Sequence, residues 1–443
     1  MAIITTRPKG TQDVLPEESG KWQFVEQTVR DAAEKCGFSL IRTPIFEHTE
    51  LFLRGVGETT DIVNKEMYTF ADKGGRSVTL RPEGTAGALR AAIENGLVYG
   101  SLPARLYYVG PCFRYEKPQA GRFRQFHQFG VELLGPTGYA ADCEAMTLGV
   151  RILRRLGLKN VSLEINSIGC PKCRETYRAA LVAYFEDKKD QLCPTCLERL
   201  EKNPMRILDC KCPECQAAAK DAPANLDYLC PDCKAEFDKV QELLRAQKID
   251  FRINRRIVRG LDYYTRTVVE FVTGELGSQS AVGGGGRYNG LISDLGGPDL
   301  PGVGFAMGLE RLIMLMEKQG CSFGEQPVCE LYLAPLGDAA VCRAAALAAA
   351  LRDEGFAAEY DLMGRSVKAQ MKYANKLGAR YTMVMGDSEL EQGTARLKNM
   401  ETGEETEVAL TEEAVKDALY QRNIDRMMEQ ITDAAEQLHP EKQ

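Results

Sequence analysis

From residue 328 onward the chain alternates strand-like and helix-like runs: CELYLAPL, a helix over residues 338–353, AAEYD, a helix over 366–377, then YTMVMG. Such alternation implies parallel strands joined by helical crossovers, hence a separate α/β unit. The preceding sequence follows another rule. Residues 105–134 hold two β-rich stretches, LYYVGPCFRYE and RFRQFHQFGVELLG, and the Pro and Gly of residues 117–121 suit a turn between them. They predict an antiparallel hairpin with basic residues at its tip. Strand-like VSLEINSIG and RIVRGLDYYTRTVVEFV, a glycine-rich turn at residues 283–286 and a helix over 307–318 extend the pattern. Apolar residues Trp22, Val25, Val29, Ala33 and Cys36 recur at helical spacing within residues 21–40, and residues 142–157 also read as helix. The last thirty residues read as charged helix. The expected class is α+β: a large antiparallel sheet flanked by helices, followed by the α/β unit.

Between these regions the composition changes. Nine of the fifteen cysteines fall between Cys170 and Cys233, and charge replaces β-rich sequence until about Leu244, which predicts an inserted subdomain. Four C-x-x-C pairs, Cys170/Cys173, Cys193/Cys196, Cys212/Cys215 and Cys230/Cys233, are separated by 19, 15 and 14 residues. Those spacings fit tetrahedral four-thiolate zinc ribbons. Eight thiolates suffice for two zinc ions and four for one, with Cys210 spare; reduced, metal-free thiols are the other reading. A bound zinc would be structural, because four protein ligands leave no open coordination position.

Charge and composition exclude several classes. Fifty-six basic against 63 acidic side chains give a net charge of −7, which argues against non-specific coating of nucleic acid or of an anionic membrane. The N-terminus, MAIITTRPKGTQ, has no apolar run behind its charges, and the longest wholly apolar run, residues 344–351, is too short to cross a bilayer. A cytoplasmic protein without a membrane partner is expected, and there clustered cysteines point to thiols or metal rather than disulfides. Only His48, His127 and His439 are present, so chemistry built on several histidines is not expected.

Neither a G-x-x-x-x-G-K-[ST] nor a G-x-G-x-x-G run occurs, so any nucleotide must be held without those phosphate cradles. Three arginines in strongly featured contexts offer an alternative: Arg114 in PCFRYE, Arg259 in RGLDYY and Arg311 in GVGFAMGLERL. Guanidinium forks grip phosphate oxygens bidentately and keep their charge in a partly dry site. With these residues in view the chain resembles the class II aminoacyl-tRNA synthetases and, within them, the histidyl-tRNA synthetase family. Pro44, after the first long helix, resembles the motif 1 proline of the dimer interface. FRYE followed by RFRQFHQFGVE resembles motif 2, and GVGFAMGLERL motif 3. RPEGT at Arg81 to Thr85, RGLDYYT at Arg259 to Thr265 and GGGGRYNGL at Gly283 to Leu291 resemble the histidine-specific signatures.

The resemblance implies a six-stranded antiparallel sheet carrying the active site and a C-terminal anticodon-binding domain. It implies a histidine–tRNA ligase that uses ATP with magnesium, forms histidyl-adenylate and transfers histidine to the 3′ end of tRNA(His), acting as a homodimer. By the same resemblance Arg114, Arg259 and Arg311 are the catalytic cations. Arg114 would hold the α-phosphate and the amino-acid carboxylate, Arg259 would sit at the α-phosphate, and Arg311 would meet the γ-phosphate end. Glu116 would meet the adenine amino group and Phe126 stack on the ring. Histidine would be held by Glu132 and Tyr264 at its ring, by Glu83, Gly84 and Thr85 at its α-amino group and by Gln128 at its polar end, with Tyr263 and Tyr288 in the wall. A carboxylate plus a phenol can satisfy both imidazole nitrogens, which a wrong substrate would leave unpaired.

Two basic surfaces are expected to meet tRNA: Lys117, Arg122 and Arg124 at the hairpin tip, and Arg365, Lys368, Lys372 and Lys376, which share a helical face. The expected domains are residues 1–169 and 246–325 for the two parts of the catalytic domain, 170–245 for the cysteine-rich insertion, and 328–443 for the anticodon-binding domain with its helical tail. Two rivals remain. The regulatory paralogue of ATP phosphoribosyltransferase shares a histidyl-synthetase-like body and binds histidine, but should lack the anticodon domain and erode the arginines. A zinc-ribbon nucleic-acid-binding protein would explain the cysteines alone.

Overall fold

The β-rich stretches before residue 324 form two sheets. Their strands are β1 (Ser39–Leu40), β2 (Phe46–His48), β3 (Tyr68–Ala71), β4 (Ser77–Leu80), β5 (Ala104–Phe113), β6 (Gln125–Leu134), β7 (Ser162–Ser167), β8 (Phe251–Ile253), β9 (Thr265–Val272), β10 (Ala281–Arg287) and β11 (Gly302–Gly308). The larger sheet has the order β1-β5-β6-β11-β10-β9-β7-β8 and the smaller β2-β4-β3. In the larger one, the six central strands from β5 to β7 pair antiparallel. The short edge strands β1 and β8 pair parallel to their neighbours. The expected six-stranded antiparallel sheet is thus the centre of an eight-stranded one. The structure, a computed structural model, describes residues 5–57, 60, 62–258, 261–277, 280–324 and 328–438.

Period-two alternation on β6 separates the core from the functional face. Phe129, Val131 and Leu133 are buried against helices Pro16–Lys35, Tyr139–Arg155 and Leu309–Gln319, each such side chain contributing about 1.5–3 kcal/mol of transfer free energy. Phe126, Gln128 and Glu132 point to the opposite face and line a cavity. A one-residue slip would exchange the two sets. The sheet is locked to the helix behind it by Arg287, fully buried, whose Nη2 lies 2.7 Å from Asp142 Oδ1. Two backbone carbonyls, of Pro136 and Gly138, also accept from that guanidinium.

Residues 283–286 are not a turn. They form the middle of β10 and pair on both sides. The reason is steric: a Cβ on Gly285 would lie 2.0 Å from the carbonyl oxygen of Gly304 on β11. Glycine here permits close approach between strands rather than chain reversal.

The cysteine-rich segment is a helical insertion between the parallel strands β7 and β8. Its helices are Pro171–Glu186, Pro194–Lys202, Pro213–Ala218 and Pro231–Ala246, with their own apolar cluster around Tyr177, Leu181, Phe185, Leu200 and Ile207. The last helix lies against Tyr139–Arg155, where the Cys143 thiol donates to Val240 O at 3.4 Å.

Residues 325–443 form a second unit. Strands β12 (Leu331–Pro335), β13 (Ala358–Tyr360), β14 (Tyr381–Met385), β15 (Thr394–Asn399) and β16 (Glu405–Ala409) lie in the order β13-β12-β14-β15-β16. The first three are parallel, as the strand–helix alternation requires. β15 and β16 add an antiparallel hairpin that the alternation does not contain. Helices Asp338–Asp353, Val367–Leu377, the short Asp387–Gln392 and Glu412–Leu438 complete the unit. Among the described residues no helix is long and apolar enough to cross a membrane.

Candidate active site

A cavity of about 300 Å³ opens on the face of the sheet away from the helical core. Its floor is made of small residues, Gly284 on β10 and Gly304, Ala306 and Gly308 on β11. A Cβ on Gly304 would come within 2.3 Å of Glu132 Oε2, so this glycine is what lets the carboxylate lie flat against the sheet. The walls gather Glu83, Thr85, Arg114, Glu116, Phe126, Gln128, Glu132, Tyr263, Tyr264, Tyr288 and Arg311, residues spread over more than 220 positions of sequence. Gly84 is not in the wall; it underlies it, because the Tyr108 ring occupies the space a Cβ would need. Arg259 lies outside the described residues.

One end of the cavity is acidic and phenolic. Glu132 is 1% exposed; Tyr108 Oη donates to its Oε1 at 3.2 Å and Tyr288 Oη to its Oε2. Burial pushes the Glu132 carboxyl up to about 8, against the hydrogen bonds from Tyr288 and Thr85, which makes it an acid poised near neutrality. Burial also raises Glu83, whose oxygens accept the backbone N–H groups of Thr85 (2.6 Å) and Ala86 (2.8 Å) at the start of helix Thr85–Glu94. Tyr263 packs between Tyr264, tilted at 46° with centroids 4.6 Å apart, and Tyr288, edge-to-face with centroids 5.8 Å apart. Burial holds the Tyr263 and Tyr288 phenols well above their usual range, so they stay neutral donors.

The other end is cationic. Arg114 follows β5, is fixed by Nε donating to Pro82 O at 2.8 Å, and sits over Phe126 with 5.2 Å from guanidinium carbon to ring centroid. Arg311 opens helix Leu309–Gln319 and donates from Nε to Gly121 O at 3.0 Å and from Nη1 to Ala281 O at 2.5 Å. Its pKa is lowered first by burial and then by the like charges of Arg122 and Arg114. Three guanidinium groups therefore converge: two that the sequence singled out, and Arg122, which it placed on the tRNA surface. Arg122 lines the cavity and forms an ion pair with Glu116. Arg124 stands over Tyr115, 3.9 Å from its centroid, outside the lining.

Two residues that support this geometry receive no role from the sequence. Tyr108 reads as an ordinary strand residue; only the pairing of β5 with β6 sets its hydroxyl on Glu132. Glu310 accepts the His127 backbone N–H at 2.9 Å and faces His127 Nδ1 at 3.0 Å, tying the start of Arg311's helix to β6.

The insertion brings eight sulfurs into two groups, Cys170, Cys173, Cys230 and Cys233, and Cys193, Cys196, Cys210 and Cys215. Either group could hold a metal. This corrects the expected set in one place: Cys212 belongs to neither group, its thiol donating instead to Glu214 Oε2 at 2.7 Å, and Cys210 stands where Cys212 was expected. The C-x-x-C spacing fixes which thiols are local neighbours, not which pairs meet in space.

In the second unit, Lys368, Lys372 and Lys376 are exposed along helix Val367–Leu377. Arg365 precedes that helix; it pairs with Asp361 at 2.7 Å and stands 4.4 Å from the centroid of Tyr373.

Comparison with known proteins identifies the family. Residues 10–312 match the family model for histidyl-tRNA synthetase, and residues 330–416 that for an anticodon binding domain. A histidine–tRNA ligase of Desulforamulus reducens is 52% identical over 410 residues, 93% of this chain and 98% of that protein. One of Halothermothrix orenii is 53% identical over 404 residues, 91% of this chain and 96% of that protein. The crystal structure of apo histidyl-tRNA synthetase from Staphylococcus aureus superposes with a TM-score of 0.79 at 39% identity, covering 92% of this chain and 98% of that one. With a family match across most of its length and relatives at half identity, the chain belongs to the histidyl-tRNA synthetase family.

Proposed function

We propose that Arg114 and Arg311, with Arg259, neutralise the triphosphate of ATP while Glu132 and the tyrosines around it hold the imidazole of histidine. The family's activity is histidine–tRNA ligation, and the chemistry explains why such a cavity needs no protein nucleophile. A carboxylate oxygen of histidine attacks the α-phosphorus, the bond to the β-phosphate oxygen breaks, and histidyl-adenylate and pyrophosphate result. The terminal ribose hydroxyl of tRNA(His) then takes the histidyl group and AMP leaves. The first step brings two anions together, so fixed positive charge where negative charge develops is the main catalytic contribution. ATP is taken as its magnesium complex, whose ion supplies further positive charge on the outer phosphates.

In this reading Glu116 and Phe126 hold the adenine, Glu83 and Thr85 the α-amino group, and Gln128 the polar end of histidine. Arg122 joins the cationic set, and its ion pair with Glu116 must loosen as adenine enters. The observation that carries the reading is the meeting of a buried carboxylate, its phenol donors and convergent guanidinium groups in one cavity. Histidine-dependent exchange of labelled pyrophosphate into ATP tests it directly. Exchange with histidine and none with other amino acids is expected; no exchange would favour the histidine-binding regulatory paralogue.

The tRNA is proposed to meet Lys117, Arg122 and Arg124 at its acceptor end, and Arg365, Lys368, Lys372 and Lys376 in the anticodon-binding domain. Replacing Lys368 and Lys372 together by alanine should lower kcat/KM for tRNA about tenfold and shallow the salt dependence of binding by about one to two in slope. Pyrophosphate exchange in the same variant should be unchanged, since the helix carries no cavity residue.

A cytoplasmic homodimer is the proposed working form. Ile45 and Phe46 after Pro44, and Phe70 on the same small sheet, are 45%, 56% and 49% exposed, a group of large apolar side chains that a partner subunit would cover. Sedimentation should give one species of twice the chain mass, and Phe46→Glu should shift it to the monomer. The cysteine-rich insertion is proposed to hold structural metal that takes no part in the chemistry.

A further inference from the structure

Every C-P-x-C run in the insertion begins a helix in the same way. Cys170, Cys193, Cys212 and Cys230 each stand immediately before the first helical residue, with proline next, where its missing N–H costs nothing. The second cysteine of each run then lies within the first turn, on the same side as the first. Tertiary packing decides which sulfurs converge. Within each of the two groups all four lie within 4.8 Å of one another. Separations of 3.7 Å (Cys170 to Cys173), 4.0 Å (Cys170 to Cys230) and 3.9 Å (Cys193 to Cys210) occur. A disulfide would require about 2.05 Å. The edge of a tetrahedron with four zinc–sulfur bonds of about 2.3 Å is about 3.8 Å. Backbone N–H groups already point at these sulfurs, from Cys230 to Cys173 Sγ at 3.0 Å and from Cys193 to Cys215 Sγ at 3.2 Å, as thiolate ligands require.

The groups sit beside the residues that grip the histidine-recognition segment. Arg174, next to Cys173, donates to Tyr264 O. Glu236, one turn beyond Cys233, pairs with Arg266. Asn203 and Arg206 lie between Cys196 and Cys210 and hold Asp262 Oδ1 at 3.2 and 3.0 Å. Arg266 is held in the left-handed region, φ 51°, which costs energy in a residue with a side chain and persists only where its surroundings enforce it. Its own backbone is clamped to the junction of the insertion, accepting from Ile168 N at 2.8 Å and donating to Gly169 O at 2.9 Å.

We propose that the insertion binds two structural zinc ions, one in each group, with Cys210 and not Cys212 completing the second, and that the pair anchors the segment bearing Tyr263 and Tyr264. This rests on the reading that the insertion holds metal, and it adds the number of ions, their ligands and their purpose. Four thiolates around each ion exclude a catalytic role. The ions fix helices whose neighbouring side chains set the histidine pocket.

Metal analysis of the full chain purified without chelator should find two zinc ions per chain, still two in Cys212→Ser, and one in Cys210→Ser. No zinc in the parent chain would overturn the metal reading and this proposal with it. Two in the parent with loss in Cys212→Ser, and none in Cys210→Ser, would overturn only the ligand assignment. Since losing a ligand can also unfold the insertion, cobalt exchange into the Cys212→Ser chain is the deciding arm. The intense visible absorption of tetrahedral cobalt–thiolate should match the parent's in strength; halving of it overturns the assignment. The anchoring role is read in Arg206→Ala, where KM for histidine should rise about 10- to 100-fold with KM for ATP unchanged, and Arg206→Lys should recover part of the loss. A parent-like KM for histidine in Arg206→Ala would overturn it.

Discussion

Arg311→Ala should exchange pyrophosphate about 10²–10³-fold more slowly than the parent chain while melting at the same temperature or slightly higher. The magnitude is that of removing one preorganised donor aimed at charge developing in a transition state. The stability half of the expectation comes from the electrostatics of the cavity wall. Burial first, then the like charges of Arg122 and Arg114, lower the Arg311 pKa, with Glu310 opposing them, so on balance the fold holds this cation at a cost. Its bonds to the carbonyls of Gly121 and Ala281 hold the guanidinium in place; alanine leaves those carbonyls beside an open cavity that water can enter. Arg114→Ala should lose a similar factor, with added loss of adenine affinity because the same group covers Phe126. Arg259→Ala is expected to follow Arg311→Ala in rate. The measurement is histidine-dependent exchange together with a thermal melt on each variant. A parent-like rate in Arg311→Ala would show that these cations do not serve the triphosphate, and a folding loss matching the rate loss would reassign Arg311 as structural.

What the sequence made legible follows from how local each signal is. The hairpin of residues 105–134 and the helix over 338–353 are set by spacing and turn residues within a few positions, and the structure has them as β5 and β6 and as Asp338–Asp353. The glycine run at 283–286 was misread as a turn because glycine reports only the absence of a side chain. The reason for that absence, the Gly304 carbonyl across the strand pair, lies far away in sequence. Cys210 escaped for a similar cause: it has no C-x-x-C partner, and only the fold carries it to Cys193. Sheet register puts Tyr108 behind Glu132, and the return of the hairpin tip brings Arg122 into the cavity lining. The β15–β16 hairpin lies beyond the last alternating strand, where a different periodicity takes over.

Glu132→Gln should trade function for stability. The Glu132 carboxyl is pushed up to about 8 by burial, from an ordinary 4.5, so between those values the folded protein binds a proton that the unfolded one has lost. Stability then falls as pH rises through that window and levels off above about 8; below 4.5 the group costs nothing. At about 1.36 kcal/mol per pH unit the cost near pH 7 is of the order of 3 kcal/mol. Glutamine copies the neutral acid in shape and can accept from one of the two phenols, Tyr108 or Tyr288, but never titrates. Its melting temperature should therefore exceed the parent's by several degrees at pH 8 and converge with it by pH 4.5. Histidine-dependent exchange should fall about 10²-fold or more, because an imidazole N–H then faces a neutral amide in a dry site, where a lost charge-assisted bond is expensive. Melting curves across this pH range, paired with exchange assays at saturating ATP, check both halves. Equal melting temperatures of the two chains at pH 8 would mean that the carboxyl is ionised in the empty cavity, with the tyrosines and bound water supplying what burial removes. Undiminished exchange would mean that the imidazole is recognised elsewhere in the wall, with Gln128 and Tyr264 the first residues to test.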